Sequence, residues 1–562
     1  MFRKSKTESQ LDAFSNVPSM LDSQSYKLYN DQNHWHNQFF ERIVSHIDEK
    51  IFRIFYDSNT GAPNSSIRVL IGMMILKESF SWSDSQLFEH CRFNMLVRRS
   101  LGLFNMNDPL PVESTYYLLR KHLHAHQNET GEDLLGKVFA QITSGQIKDF
   151  EVNGRSIRMD SKLIGSNIAL FSRYEIIHRC VFLFHKSLKD TGELSILSTN
   201  DLEQLTSLVK EEPQKTVYRS TRDEIKSRLQ PIGILIYKML QLFGDLQTDS
   251  FKLLQRVFNE QYKVTEDHQI ELRPKEEITS SSIQSPHDPD SAYRNKGNQK
   301  VKGFSVNLTE TCADDNLHLI TSVIVEKANT PDTAFVERAL AETMQVTGQQ
   351  VEKAYVDGAY HSPANDQACE GIDMIFTGIQ GSEPRFNLEI TSDGLKVTDR
   401  ETGEFMMAEV VRKYQNSKQP TDRYRIKTNE GKFYYFDQKA IRAAGKRQQM
   451  KSRPLEESHK RNNVESTIYQ LGIPLRNGKS KYRGLIRQKI WTVCRCLWIN
   501  LVRIMNFTKQ ICQRTPDSAK KSALLTFFGL LLSVPRHLST KIWAYGHHLN
   551  NTLHLRTPVT NY

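Results

Sequence analysis

Three acidic residues stand in contexts where a carboxylate can act on a substrate. Asp160 falls inside the strand-like pattern IRMDSKLIGSN, Asp357 ends the apolar run of AYVDGAYHS just before Gly358, and Glu465 lies on the helix-forming stretch HKRNNVESTIYQLG. Taken singly, Asp160 satisfies a turn, and Glu465 decorates a solvated helix, as readily as either does chemistry. Their separations of 197 and then 108 residues are too large for local structure to unite them. If the fold does unite them, the carboxylates repel one another and hold protons more tightly unless cations join them. An all-oxygen set of this kind suits magnesium, which takes only a few carboxylates and keeps several waters.

Other polar clusters compete less well. His287 to Asp290 (HDPD) could place a metal ligand, but beside proline in a polar linker it reads more simply as an Asx-type turn. Cys494 and Cys496, on an apolar stretch with Trp491 and Trp498, read as packing residues. No cysteine set has zinc-site spacing and no glycine-rich phosphate loop occurs, so ATP dependence is not supported.

The elements that must position the three acids change texture along the chain. Residues 1–35 are polar and weakly patterned, a loose arm. Residues 36–148 read as helix after helix: Ile67, Leu70, Ile71, Met74 and Ile75 recur at helical spacing behind Ser65 or Ser66, and Ser83 with Gln86 forms a capping-box pattern. A further helix starts near Ser114, and its Ser114, Thr115, Tyr116, Arg120 and Lys121 suit a helix lying against DNA; an ordinary bundle with a wet basic face is the alternative. Residues 149–505 open in strands, with KGFSVNLTETCADDNLHLITSVIVEKAN predicted to be two strands joined near Asp314 to Asn316, and return to helix from about 455. Two insertions interrupt them, a helical one at about 172–285 and a β-rich one at about 382–450 whose turns carry Asp-Gly, Thr-Gly and Glu-Gly. Residues 506–562 are expected to form a helical tail.

At 562 residues the chain is long enough for two to four domains. Its formal charge of +11 is unevenly spread: between Lys439 and Arg514 there are 18 Lys or Arg against three acids, which leaves the other residues slightly acidic. Such a concentration is either the footprint of a polyanion, nucleic acid above all, or a solvated helical surface. Seven cysteines without a dense framework argue against a disulfide scaffold. The first residues lack the apolar core of a signal peptide, and the longest apolar run, Ala523 to Val534, is shorter than the ~20 residues that span a bilayer. A cytoplasmic, nucleoid-associated protein with no membrane partner is expected.

In this order and these contexts, MDSKLIGSN, the basic strand RNKGNQKVKGF, VDGAY, RNNVESTIYQLG and KYRG resemble the DDE transposases of bacterial insertion sequences, over roughly residues 40 to 505. The resemblance implies an α/β fold: an RNase H-like mixed-sheet core with helical and β-rich insertions, preceded by an all-α N-terminal domain. It implies that Asp160, Asp357 and Glu465 are catalytic and hold two magnesium ions, with manganese as a substitute. A signature of related transposases places Tyr, Arg, Glu and Lys at fixed offsets. Arg461 keeps its offset from Glu465, whereas Ser458 stands for the Tyr and Gly472 for the Lys. Lys479, Lys481 and Arg483 are the candidates to replace that missing cation.

The activity implied is metal-dependent cleavage at element ends, followed by transfer of the freed 3′ hydroxyls into target DNA. The partners are double-stranded DNA (terminal inverted repeats and target) and a homodimer or larger assembly on it. Arg461, Lys460, Lys479, Lys481 and Arg483 would hold phosphates near the metals, Arg294, Lys300 and Lys302 would line the adjoining strand, and Arg120 and Lys121 would serve the N-terminal domain. Such contacts position DNA without reading its sequence. Two alternatives stay open: an RNase H-like nuclease without strand transfer, and a domesticated sequence-specific DNA-binding protein.

Overall fold

A computed structural model describes residues 1–4, 16–57, 59–297, 299–314, 317–378, 384–411, 423–429 and 431–514. By contact the chain divides into Met1–Val502 and Arg503–Tyr562. Of the second unit only the end of one helix is described, so most of the expected C-terminal tail lies outside the described residues.

Helices fill the N-terminal region: α1 (Ser23–Asn30), α2 (Trp35–Arg42), α3 (Ile67–Phe80), α4 (Asp84–Phe93), α5 (Met95–Ser100), α6 (Glu113–Thr130) and α7 (Leu134–Asp149). The stretch expected to be a loose arm is helical from Ser23, because Asp22 caps α1 through the Gln24 and Ser25 amides and α1 buries Tyr29. The capping box of α4 forms as expected, with Ser83 and Gln86 exchanging both bonds. Ser66 caps α3. That helix is not a one-sided stripe: Val69, Gly72, Met73 and Leu76 are buried along with the predicted positions, so α3 is the hub of this region.

His36 on α2 is buried there. Its Nε2–H donates to the Tyr29 carbonyl at 2.8 Å, and its Nδ1 faces Nδ1 of His34 at 2.6 Å. Burial pushes its pKa down to about 4. A histidine held neutral in the fold but free to protonate when unfolded costs stability as pH falls from about 6.5 to about 4, and nothing further below that. Thermal unfolding at pH 7 and pH 5 should therefore show wild type losing about 2 kcal/mol more than His36→Gln over this window. Equal losses would remove His36 from the acid response.

The central sheet is mixed. Strand β1 (Ser156–Gly165) opens it, and after the helical insertion come β4 (Ala292–Lys296), β5 (Gln299–Thr311), β6 (Ile320–Lys327), β7 (Lys353–Val356) and β8 (Asp373–Phe376). The order is β6-β5-β1-β7-β8, with β4 paired to the start of β5. Strands β5 and β6 are the antiparallel pair expected from the sequence, while β1, β7 and β8 run parallel. Gly303 marks a forced contact, since a Cβ there would lie 2.2 Å from the Ile164 carbonyl oxygen. One face of the sheet, through Ile157, Met159, Ile324 and Val356, packs on α13 (Val336–Thr347).

The helical insertion comprises α8 (Arg173–Thr191), α9 (Thr199–Lys210), α10 (Pro213–Arg219), α11 (Arg222–Leu242) and α12 (Asp249–Gln261), followed by the short hairpin β2 (Tyr262–Val264) and β3 (Ile270–Leu272). It has its own core of Tyr174, Phe184, Leu205, Ile236, Leu254 and neighbours. After the short α14 (Pro363–Ala368), the β-rich insertion holds two three-stranded sheets: β9 (Phe386–Thr391), β10 (Gly394–Asp399) and β11 (Phe405–Met407), then β12 (Glu409–Val411), β13 (Arg423–Lys427) and β14 (Phe433–Phe436).

Three helices close the described chain: α15 (Gln438–Ser452), α16 (Leu455–Gly472) and α17 (Leu485–Arg514). Arg495 of α17 joins both ends of the molecule's helical frame, donating to the Ser79 carbonyl at the end of α3 and, at 2.7 Å, to the Gln470 carbonyl of α16. The HDPD segment braces α17, with Asp290 accepting from the Leu485 amide at 3.1 Å. Cys494 and Cys496 are fully buried, as packing residues should be. Among the described residues no helix is long and apolar enough to cross a membrane.

Candidate active site

Strand alternation decides which residues of β1 meet solvent-side chemistry. Ile157 and Met159 enter the α13 face, so Arg158, Asp160 and Lys162 share the other. The parallel register pairs Ser156 with Lys353, Ile157 with Ala354 and Arg158 with Tyr355. Continued two residues past its last pair, it leads Asp160 toward Asp357, the residue that follows β7 and precedes the turn Gly358–Tyr360, with paired strands about 4.8 Å apart. Burial raises the Asp160 pKa and the charge of Asp357 adds to the rise, while Arg461, the Ser161 amide and Lys296 oppose it.

Helix α16 packs on β1 and β7. From it Arg461 donates to Asp160 Oδ2 at 3.0 Å and, one turn on, to Glu465 Oε1 at 3.4 Å. Two acids separated by more than three hundred residues thus share one guanidinium. Asp160 is 14% exposed in its side chain and Glu465 62%, so the pocket has a buried floor and an open rim.

The sequence reading missed what holds α16 in place. Arg158, two residues before Asp160, is buried and donates to Glu310 of β5 at 2.6 Å. The other oxygen of Glu310 accepts from Thr467 Oγ1 at 2.6 Å, and Arg158 Nη1 donates to the Lys460 carbonyl at 3.0 Å. This ion pair therefore grips α16 on either side of Arg461 and Glu465. A charged residue inside the apolar run of β1 was the available signal.

A second group lies along β4. Asp332, 2% exposed in its side chain, accepts from Ser161 Oγ at 2.8 Å and pairs with Arg294 at 3.3 Å and Lys296 at 3.6 Å. Lys296 and Asp332 were not singled out from sequence, though RNKG contains the former. Tyr360 accepts from Asn307 Nδ2 at 2.8 Å beneath Asp160. The basic stretch RNKGNQKVKGF, expected to be one strand, is β4 and the start of β5 paired antiparallel, so Lys300 and Lys302 lie on β5; Lys300 is exposed, and burial lowers the pKa of Lys302.

The remaining expected cations are spread wider. Lys460 pairs with Asp314 at 2.9 Å, Lys479 donates to the Ile168 carbonyl at 3.0 Å, Arg483 to the Asn167 carbonyl at 2.6 Å, and Lys481 to the Trp82 carbonyl at 3.2 Å with Glu78 beside it. Lys479, Lys481 and Arg483 thus have contacts away from Gly472. The place beside Gly472 is taken by Lys162: a Cβ on Gly472 would lie 3.2 Å from its Nζ. Lys162 shares the face of Asp160, so a cation from β1 occupies the position that α16 leaves empty of side chain. Arg120 and Lys121 line a cavity of about 350 Å³ with Glu78, His124, Tyr482 and Arg487. It lies between α6 and the chain entering α17.

The donor set is one of hard oxygens with a surplus of negative charge, which fits magnesium or manganese and not a thiolate-loving metal. Among the described residues no three His, Cys, Asp or Glu side chains stand close enough together to hold a metal ion as they are placed, and Arg461 lies between the acids. The register carries Asp160 and Asp357 to neighbouring strand ends, and Arg461 links Glu465 to Asp160.

Residues 27–122, from within α1 to within α6, match a family model described as a transposase domain (DUF772). That match supports a transposition-related function. No curated protein and no solved structure matches the chain.

Proposed function

We propose that the transposase-domain match over residues 27–122 marks one part of a DNA transposase whose chemistry is done by Asp160, Asp357 and Glu465. The observation that carries this reading is the parallel register of β1 and β7, which sets Asp160 beside Asp357 under the helix bearing Glu465. The sheet order β6-β5-β1-β7-β8, antiparallel on one side of β1 and parallel on the other, supports an RNase H-like core.

Asp160, Asp357 and Glu465 would hold magnesium ions, which supply a nucleophile made acidic enough for neutral pH and stabilise the leaving oxygen. The chain's own residues then have distinct tasks. Arg461 and Lys162 hold a phosphate against the carboxylate floor, and the Arg158–Glu310 pair fixes the distance between α16 and β1. Lys296 and Arg294 extend the positive rim along β4. The substrate is double-stranded DNA, with cleavage at terminal inverted repeats and 3′-hydroxyl transfer into a target. A homodimer or larger assembly would bridge the two ends.

The test uses DNA that flanks the gene, since an element's ends bracket its transposase. The purified chain with magnesium should nick labelled flanking DNA at inverted repeats and join the freed 3′ end to a second plasmid. Cleavage without joining would make it a nuclease, and binding without cleavage a DNA-binding protein. Lys162→Ala should lower cleavage about 10–100-fold with less change in binding, because its contact matters most as charge builds at the reacting phosphate. If cleavage by this variant stays within about twofold of wild type, Lys162 has no role near the phosphate.

A further inference from the structure

The β-rich insertion carries a surface that the catalytic reading leaves unused. In its second sheet the register pairs Arg423 with Val411, Arg425 with Glu409 and Tyr435, and Lys427 with Phe433. Ile426 and Phe436 pack into a core with Phe386, Leu388, Leu395 and Val397, and Tyr424 and Tyr434 lean on it. Alternation therefore puts Arg423, Arg425, Lys427, Phe433 and Tyr435 together on the opposite face.

That face is open, with Phe433 50% and Tyr435 47% exposed. Its cations lie on its rings: Arg423 is 4.7 Å from the Tyr435 centroid, and Arg425 and Lys427 are 5.0 and 5.8 Å from that of Phe433. One acid, Glu409, pairs with Arg425 at 2.6 Å. The sheet formed by β9, β10 and β11 offers a contrast. It exposes Phe405, but with a single cation, Lys396, which is registered opposite Glu389. Interleaving of several cations with several rings belongs to the β13–β14 face.

The chemistry that suits such a face has a row of negative charges and flat apolar surfaces at a matching repeat. Phe433 and Tyr435 stand two residues apart on one strand, about 6.8 Å, and the three cations repeat at the same interval. Duplex DNA engages cations through its phosphates but keeps its base faces stacked inside. An unpaired strand offers both, and bases stack on aromatic side chains or guanidinium planes whatever their sequence. We propose that this face binds an unpaired DNA strand, with bases on Phe433 and Tyr435 and phosphates on Arg423, Arg425 and Lys427. It rests on the transposase reading only in taking DNA as the nucleic acid.

The experiment measures binding of the full chain to labelled oligo-dT of about 20 nucleotides and to a duplex of equal length. Phe433→Ala with Tyr435→Ala is expected to weaken oligo-dT binding about tenfold or more and duplex binding less than about twofold. Phe405→Ala should weaken neither. Phe433→Trp with Tyr435→Phe, which keeps both rings, should retain the affinity. Unchanged oligo-dT binding in the alanine pair, an equal loss on duplex, or the same loss in the ring-preserving pair would each overturn the proposal. Absence of magnesium-dependent cleavage by the wild-type chain, with oligo-dT binding intact, would instead sink the catalytic reading and leave this one standing.

Discussion

Asp160→Asn is expected to leave duplex binding within about twofold while cutting strand cleavage by ~10³-fold or more, the several kcal/mol that metal-held carboxylates supply to phosphoryl chemistry. The substitution keeps the shape and the bond from the Ser161 amide, which is 2.8 Å from the carboxylate, and removes the charge together with the bond that Oδ2 accepts from Arg461. It also removes a buried anion whose pKa is already raised by its surroundings, so the fold should not suffer. Glu465→Gln should behave alike, although Glu465 sits on the open rim. A purely structural role for Asp160 predicts the opposite pattern: changed thermal stability with cleavage scaling to the folded fraction. Plasmid nicking and anisotropy on the same preparation separate the two.

The second large effect is on stability. Arg158→Met should destabilise the fold around β1 by about 3–5 kcal/mol, because it leaves the buried Glu310 carboxylate without the guanidinium opposite it. Arg158→Met with Glu310→Leu should recover most of that loss, since replacing both members of a buried pair is often neutral. Recovery of stability need not bring back activity. The double variant also loses the bonds to Thr467 and the Lys460 carbonyl, so α16 is no longer set against β1 at Arg461 and Glu465. Denaturant unfolding with cleavage kinetics on the stable double variant checks this. Wild-type turnover there would show that the pair is dispensable for positioning.

Local signals carried the sequence reading a long way. The Ser83–Gln86 cap, the helix beginning near Ser114 and the β5–β6 hairpin depend on neighbours within a few residues, and each is where the pattern puts it. The encounter of Asp160 with Asp357 is different. It follows from a parallel register set by two strands nearly two hundred residues apart, which no periodicity encodes. Lys162 carries no local signal, since a lysine two positions after an aspartate in a strand looks like a solvated face, and only Gly472 opposite gives it a destination. Lys479, Lys481 and Arg483 were attractive for their charge, yet charge alone does not say that their ammonium and guanidinium groups meet backbone carbonyls of other segments. Helix α3 was legible as apolar but not as buried on every side, since that depends on how many partners surround it.

The central claim is that Asp160, Asp357 and Glu465 face one cation pocket. Iron(II) substituted for magnesium, with ascorbate and peroxide, cuts polypeptide close to where the metal sits. Without DNA, cuts are expected to cluster around residues 160, 357 and 465, to fade as magnesium is added, and to disappear in Asp160→Asn. Cuts confined to one of the three segments, or unchanged in that variant, would show that the acids do not share a metal.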